Sequence, residues 1–515
     1  MKNHKKGFTL VELIAILSLL ALIALVTIPT MTNTISKSKN KALQRQKDMI
    51  IDAAKKYAVD YSSELPSFEG DKYSVSLEKL RKYSYLDDDN IIDPTTDKSM
   101  KGCVELTYHA QNKKYSYEYV TQCSYYPSSP VLDDVMIPVK YVGNKWVTVG
   151  DSKWYNYENR EWANVVIVKE NKLNHYKKAA EGEEVLMTDI EAFFVWIPRF
   201  SYTIQRKNAS GNTTYGCGST NISSPGSIDI KFVPRSDYDA GAGYYYGGVV
   251  SNYRTSNGFW FDDNNDGIRD KEEELSGIWV GKFESTAIPN TNCYNDRNKE
   301  NCKNTDLQVL PNERILTYQN LNTRMHTAQK FGIKNKLSNK AKLLKNSEYG
   351  VIAYLTQSIY GVCTSRSSCV QPRTNANPNY ITGDGNYVSN VLESSTQNIT
   401  GVYDLVGGAW EATTAVYNEN LASSSTFEFP EKKYFDNYKS GDISKSCNDD
   451  ICYGDAFSET AGWYNNGYRE SLENNIVLGR GGCYQYSPGL FSFDWAPEGD
   501  METDNVSIRL TISMK

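Results

Sequence analysis

The chain opens on an apolar run. From Phe8 to Ile28, twenty-one residues carry a single charge, Glu12. As a helix that run would measure about 30 Å, enough for a bilayer core. Past Pro29 the pattern turns amphipathic. Leu43, Ile50, Ala54, Tyr57 and Tyr61 follow one another at spacings of 7, 4, 3 and 4, which places them on one helical face. The reading is one long helix over residues 8–64, kinked or locally melted at Pro29 and ended by Pro66; two separate helices are the alternative. Alternating segments follow at Cys103–Tyr108 and Tyr115–Val120, with Gln111–Lys114 between them as a hairpin loop. Pro127-Ser-Ser-Pro130 reads as a linker.

Beyond it the pattern breaks into short apolar stretches. They are Trp146–Val149, Val165–Val168, Phe193–Ile197, Ile278–Phe283 and Ile508–Ile512, with helical pieces around Met325–Lys330 and at Ser347–Thr356. Short strands, few helices and long loops predict an irregular α+β fold.

Composition narrows the function. At about 150 residues per domain, 515 residues suggest about three domains. An apolar share of 40% with 23% charged residues is globular rather than disordered. A net charge of −6 with no basic stripe excludes nucleic acid as the main partner. Four His restrict His-rich metal chemistry, and ten Cys ask for an oxidising compartment.

The N-terminus supplies that compartment. A basic head with Lys2, Lys5 and Lys6 precedes the apolar run and should remain cytoplasmic. An ordinary secretory signal fits poorly, because no small-residue cleavage site follows and a carboxylate lies inside the run. A carboxylate at that depth costs about 2.5–3.5 kcal/mol and needs a partner. The segment Lys5-Lys-Gly-Phe-Thr-Leu-Val-Glu12 resembles the type IV prepilin motif. The resemblance implies cleavage by a prepilin peptidase after Gly7, N-methylation of Phe8, and pairing of Glu12 with the N-terminal ammonium of a neighbouring pilin subunit. It also implies a membrane helix before assembly (residues 8–28) and a cell-surface or pilus location afterwards. Residues 66–126 resemble the small head of Gram-positive pilins and pseudopilins.

A second resemblance covers about residues 190–515. Five segments, in order, resemble the C-type-lectin-like fold shared with formylglycine-generating enzyme: Phe194–Phe200, Gly277–Glu284, Asn346–Leu355, Gly401–Glu411, and Gly479–Cys483 leading to Ser507–Arg509. Paired glycines at 407–408 and 481–482 suit turns at positive φ, and the Trp residues anchor a loop-rich core. The enzymes of that fold use a late cysteine pair or a His-rich iron triad. Here Cys483 stands alone after Cys452, and His109, His175 and His326 lie far apart. The expectation is therefore no enzyme activity.

Cysteine proximity pairs Cys103 with Cys123, Cys293 with Cys302, Cys363 with Cys369 and Cys447 with Cys452. Cys217 and Cys483 remain, and a long-range bridge between them is open. Metal ligation also has a candidate. Asp262, Asn264, Asp266, Asp270 and Glu273 fall at positions 1, 3, 5, 9 and 12 of a loop with Gly267 at position 6. The Ile268 carbonyl would serve position 7, which is the calcium spacing of an EF-hand, also found in thrombospondin type 3 repeats. No helix signal precedes it, and a plain acidic loop is the alternative.

These readings divide the chain into a leader (1–7), a pilin helix (8–65), a pilin head (66–126), a linker with a small β-rich segment (127–189) and a lectin-like domain (190–515). The expected function is a minor, tip-located pilin acting as an adhesin, since a bulky head would crowd every step of a filament shaft. Its ligand would be an extracellular glycan or surface protein. Tyr484, Tyr486, Trp495, Glu498 and Asp500 are the expected ligand face, with Phe491 and Phe493 expected in the core and Tyr244–Tyr246 as the next candidate. A structural pilin or pseudopilin that primes assembly of a pilus or secretion filament is the alternative. A ligand domain diversified by a retroelement over Cys483–Asp504 is another, and DNA uptake is disfavoured by the acidic balance.

Overall fold

The apolar start and the amphipathic stretch behind it form one helix in the computed structural model, α1 (Leu10–Asp60), unbroken at Pro29. The structure describes residues 9–87, 91–207, 213–215, 225–237, 253–287, 305–337, 340–417, 431–438, 454, 456, 458–460, 463–464, 477–485, 489–496 and 505–514. Two compact units result: Met1–Leu65 with Lys72–Ser124, and Pro66–Asp71 with Tyr125–Lys515.

In the first unit, β1 (Lys72–Ser76) leads into α2 (Leu77–Lys82), capped by the Ser76 hydroxyl. The predicted hairpin forms as β2 (Cys103–His109) and β3 (Lys114–Val120). The three strands make an antiparallel sheet in the order β1-β2-β3. The helical face read from spacing packs on it. Ile50, Ala54 and Tyr57 are fully buried, and Leu43 and Tyr61 pack at the edge of the cluster. The Tyr57 ring stacks on Tyr61 at 4.4 Å and meets Tyr85 edge-on at 5.6 Å. A Cys103–Cys123 disulfide, with Cα atoms 5.3 Å apart, ties β2 to the chain beyond β3.

The second unit is centred on a seven-stranded antiparallel sheet. Its strands are β4 (Met136–Val142), β5 (Lys145–Thr148), β6 (Asn164–Val168), β7 (Ile190–Pro198), β10 (Gly277–Gly281), β11 (Ala341–Leu343) and β15 (Leu510–Met514). Their order is β11-β15-β10-β7-β6-β4-β5. Between β6 and β7 lies α3 (Glu170–Lys177). A second sheet pairs β8 (Phe200–Lys207) with β9 (Ile228–Phe232). A third pairs β12 (Trp410–Tyr417) with β13 (Val477–Arg480), and β13 with β14 (Phe493–Ala496). The two predicted helices are α4 (Leu321–Lys334) and α5 (Asn346–Thr356), and every residue of α5 is buried.

The boundaries differ from those expected. Residues 127–189 are neither a linker nor a separate segment, because β4, β5 and β6 belong to the same sheet as β7. Two indoles explain the stitching. Trp196 and Trp279 face each other across β7 and β10 with ring centroids 5.1 Å apart. Their buried N–H groups need acceptors, and they find Ser128 O at 3.1 Å and Val131 O at 2.7 Å. Residues 66–71, expected with the head, belong to the second unit for a similar reason. Phe68 meets Trp154 edge-on at 4.7 Å. Asp71 accepts from Tyr155 Oη and from Ser129 Oγ, and pairs with Lys153.

The expected membrane-spanning helix is not found: among the described residues no helix is long and apolar enough to cross a membrane. The described apolar side chains of the run cover residues 10–25, about 24 Å of helix. Phe8 and the side chains of residues 26–28 lie outside the description.

Gly277 shows how tightly β7 and β10 meet. A Cβ there would lie 2.5 Å from both Ile197 O and a Trp196 ring carbon. Gly277→Ala should therefore destabilise the second unit by about 1–3 kcal/mol, read as a lower denaturant midpoint at unchanged slope.

Candidate functional site

At the processing end, Gly7 and Phe8 lie outside the described residues. Thr9 caps α1. Its backbone N–H and its hydroxyl both donate to Glu12 Oε2 at 2.9 Å, and Glu12 N–H donates to Thr9 Oγ1 at 3.3 Å. This reciprocal box satisfies two donors at the helix start. The Glu12 carboxylate is thus held at the start of the helix. The following side chains are apolar and unpacked: Leu10 is 74% exposed and Leu25 is 72% exposed.

Three of the motif segments of the large unit, Gly277–Glu284, Gly401–Glu411 and the late Ser507–Arg509 stretch, meet at one buried ion pair. Arg509, between the short strand Val506–Ser507 and β15, is fully buried. Its Nε donates to Glu411 Oε2 at 3.0 Å and its Nη2 to Glu411 Oε1 at 2.5 Å. Nη1 donates to Gly281 O at 2.7 Å, and Nη2 also donates to Tyr403 O at 2.8 Å. One side chain therefore joins the end of β10, the 401–411 segment and the start of β12. From α5, the Tyr349 hydroxyl donates to Leu490 O at 2.8 Å, and the Arg480 guanidinium lies 4.5 Å from the Tyr349 ring centroid.

The motif glycines are required by space. Gly407 has φ +86°, and a Cβ there would lie 2.3 Å from Asn375 O. Gly481, at φ +77°, would meet Leu405 O at 2.5 Å. Lys282, one residue past β10, is also buried. Its Nζ donates to Asn164 Oδ1, Ile399 O and Gly401 O at 2.9, 2.7 and 2.8 Å, and burial alone pushes its proton affinity well below the ordinary lysine value.

Above this hub lies the described part of the expected ligand face. Tyr484 N–H donates to Gly408 O at 3.2 Å, so the Gly407–Gly408 turn carries Tyr484. The Tyr484 ring is half-buried and meets Tyr380 edge-on at 5.0 Å. Gln485, exposed beside it, donates from Nε2 to the Tyr484 hydroxyl at 2.7 Å. Tyr380 sits in the left-handed region at φ +54°. Neither Tyr380 nor Gln485 was legible as part of this face, since Tyr380 lies in a loop about a hundred residues upstream. Trp495 lies on β14 opposite Leu478, with its side chain outside the description. Tyr486, Glu498, Asp500 and Tyr244–Tyr246 also lie outside the described residues. Phe491 and Phe493 are each 2% exposed and belong to the core.

The acidic loop closes on its own backbone. Asp262 Oδ1 accepts from Asp266 N and Oδ2 from Gly267 N, at 3.0 and 2.8 Å. Asn264 Oδ1 accepts from Asp266 N at 2.9 Å, and Asp266 Oδ1 accepts from Ile268 N at 2.7 Å. Asp270 caps the turn ahead of Glu273, and Glu273 accepts from Asn264 N and from Trp260 Nε1. Gly267 takes φ +76°, as the turn demands. Among the described residues, no group of three or more His, Cys, Asp or Glu is placed to hold a metal ion. Of the remaining cysteines, Cys363 and Cys369 form a disulfide and Cys483 is buried. Cys217, Cys293, Cys302, Cys447 and Cys452 lie outside the described residues.

Residues 2–28 match the family model described as the prokaryotic N-terminal methylation motif. The match supports a type IV prepilin-like start, and with it a pilin- or pseudopilin-type protein whose partners are pilin subunits and a prepilin peptidase. No curated protein matches the chain significantly.

The Arg509–Glu411 pair yields a direct stability prediction. Arg509→Ala leaves a carboxylate buried without its counter-charge, and should cost about 3–5 kcal/mol. Chemical unfolding of the variant against the parent chain measures it.

Proposed function

We propose that the chain is a minor type IV pilin at a filament tip, acting as an adhesin through its second unit. The observation that carries this reading is the joining of a prepilin-type start to a second compact unit spanning Tyr125–Lys515. A unit of that size on every subunit would crowd a helical shaft, whereas one copy at the end meets no such limit. The exposed apolar helix supports membrane residence before assembly, and the disulfides support an extracytoplasmic second unit. The meeting of three of the five motif segments at Arg509 supports a C-type-lectin-like fold related to formylglycine-generating enzyme. The Tyr484 face, carried on the Gly407–Gly408 turn, is the proposed contact with a glycan or surface protein.

Two measurements test this. Immunogold labelling should mark filament ends, and even labelling along the shaft would sink the tip assignment. Replacing Tyr484, Tyr486 and Trp495 together by Ala should weaken cell-surface binding on the order of tenfold or more while leaving filament number unchanged. Loss of filaments with that variant would favour the assembly-priming role instead. Deleting residues 131–515 is a poorer test, because it strips Phe68 and Asp71 of the partners described above.

Calcium in the 262–273 loop is a separate proposal, supported by the ligand spacing and by burial of Asp262 and Glu273. A site filled at 100 times its Kd would stabilise the chain by about 2.7 kcal/mol. Chelator should then lower the melting temperature of the parent chain and leave Glu273→Gln unmoved; a parent chain indifferent to chelator means a plain acidic loop.

A further inference from the structure

The hub around Arg509 holds more negative charge than it can neutralise. Glu284, Asp404 and Glu411 are each at most 1% exposed, and Arg509 is 0% exposed. The guanidinium is committed to Glu411, Gly281 O and Tyr403 O. Lys282, two residues before Glu284, spends its ammonium on Asn164, Ile399 and Gly401. Among the described residues, Glu284 receives one hydrogen bond, from Ala409 N to Oε1 at 3.2 Å, and its Oε2 has no partner. Asp404 Oδ1 accepts from Asn375 Nδ2 at 2.9 Å and Gly383 N at 2.8 Å, and among the described residues its Oδ2 has no partner.

With all three carboxyls ionised, this buried cluster would set three negative charges against the one guanidinium that reaches it. Burial of uncompensated charge on that scale is relieved by binding a proton. Among the three, Glu411 has the guanidinium and Asp404 has two donors, which leaves Glu284 the least supported anion.

We infer that Glu284 is a neutral carboxylic acid in the folded protein, and that its ionisation loosens the Gly407–Ala409 turn beneath Tyr484. The turn is the point of action because Ala409 N–H donates to Glu284 Oε1 and Gly408 O accepts from Tyr484 N–H. Ionisation strengthens that one donor contact, but a single 3.2 Å bond does not offset burial of an uncompensated anion, so the turn opens to admit water. The groups that set the proton affinity of Glu284 are Glu411, Asp404 and Arg509. Burial is the largest cause of its upward displacement, the two neighbouring acids add to it, and Arg509 opposes it. Burial likewise raises Asp404 to about 6 and, farther out beside Arg373, Glu393 to about 8.

The sign follows from linkage. A carboxyl whose folded value lies above its unfolded value binds more protons in the native state. Its contribution is fully present below the unfolded value near 4.5 and declines as pH rises toward the folded value. Each such proton changes the unfolding equilibrium by about tenfold per pH unit within that window.

The experiment compares the full chain with Glu284→Gln, a neutral isostere that keeps an oxygen for Ala409 N–H. Equilibrium unfolding between about pH 5 and 9 should show the parent losing stability more steeply, by about one proton's worth of slope. Hydrogen exchange at Gly408, Ala409 and Tyr484 should accelerate with pH beyond its intrinsic rate in the parent but not in the variant. Infrared difference spectra should show a protonated-carboxyl stretch in the parent that Glu284→Gln removes. Asp404→Asn serves as a second variant should the first fail to fold; by removing one repelling charge it should flatten the slope. Equal slopes with no protonated-carboxyl signal would overturn the assignment. A stoichiometric metal ion in the purified chain, with Glu284 ionised, would overturn it equally.

Discussion

A single guanidinium holds together parts of the chain that are far apart in sequence. Arg509 reaches Gly281, Tyr403 and Glu411 at once, so the placements of the last strand, the central strand and the 401–411 segment depend on one another. A buried ion pair gains little net stability over apolar packing, but leaving it half-made is costly. Its effect is to penalise every arrangement except the one that pairs it. In a unit with many loops and few long elements, that penalty sets the topology.

The same device recurs through the second unit. Arg199 and Arg269 both bind Glu274, Lys342 pairs with Glu348, and Arg324 donates to Val506 O at 3.1 Å. Loops cannot satisfy their carbonyls with a regular ladder, and buried carbonyls need donors. Long cationic side chains deliver several donors to scattered acceptors from one anchor point. The indoles of Trp196 and Trp279 reverse the roles, since there the side chain is what needs the acceptor and the 128–131 backbone supplies it.

The first unit is built on a different balance. One half of α1 buries Ile50, Ala54 and Tyr57 against a tyrosine-rich sheet, and the other half leaves its leucines and isoleucines exposed. Burial of apolar area drives the first half onto the sheet. That exposed apolar stretch is consistent with the prepilin-type start matched over residues 2–28. Glu12 is the one charged residue between Phe8 and Ile28, and the Thr9 box holds it locally.

The periodicities by themselves determined the helix, its buried face, the 103–120 hairpin, the main strands of the large sheet and helices α4 and α5, because these follow from local spacing. The contiguous 5–12 segment likewise carried the prepilin-like start, and short separation carried the Cys103–Cys123 and Cys363–Cys369 bridges. Tertiary structure alone decided that 127–189 joins the large sheet, that Phe68 and Asp71 belong to the second unit, and that Tyr380 stands against Tyr484. It alone brought Glu411 to Arg509 and left Glu284 with no hydrogen bond from that guanidinium. Those outcomes depend on which distant donor meets which buried acceptor, and a linear pattern does not encode the three-dimensional distance between them.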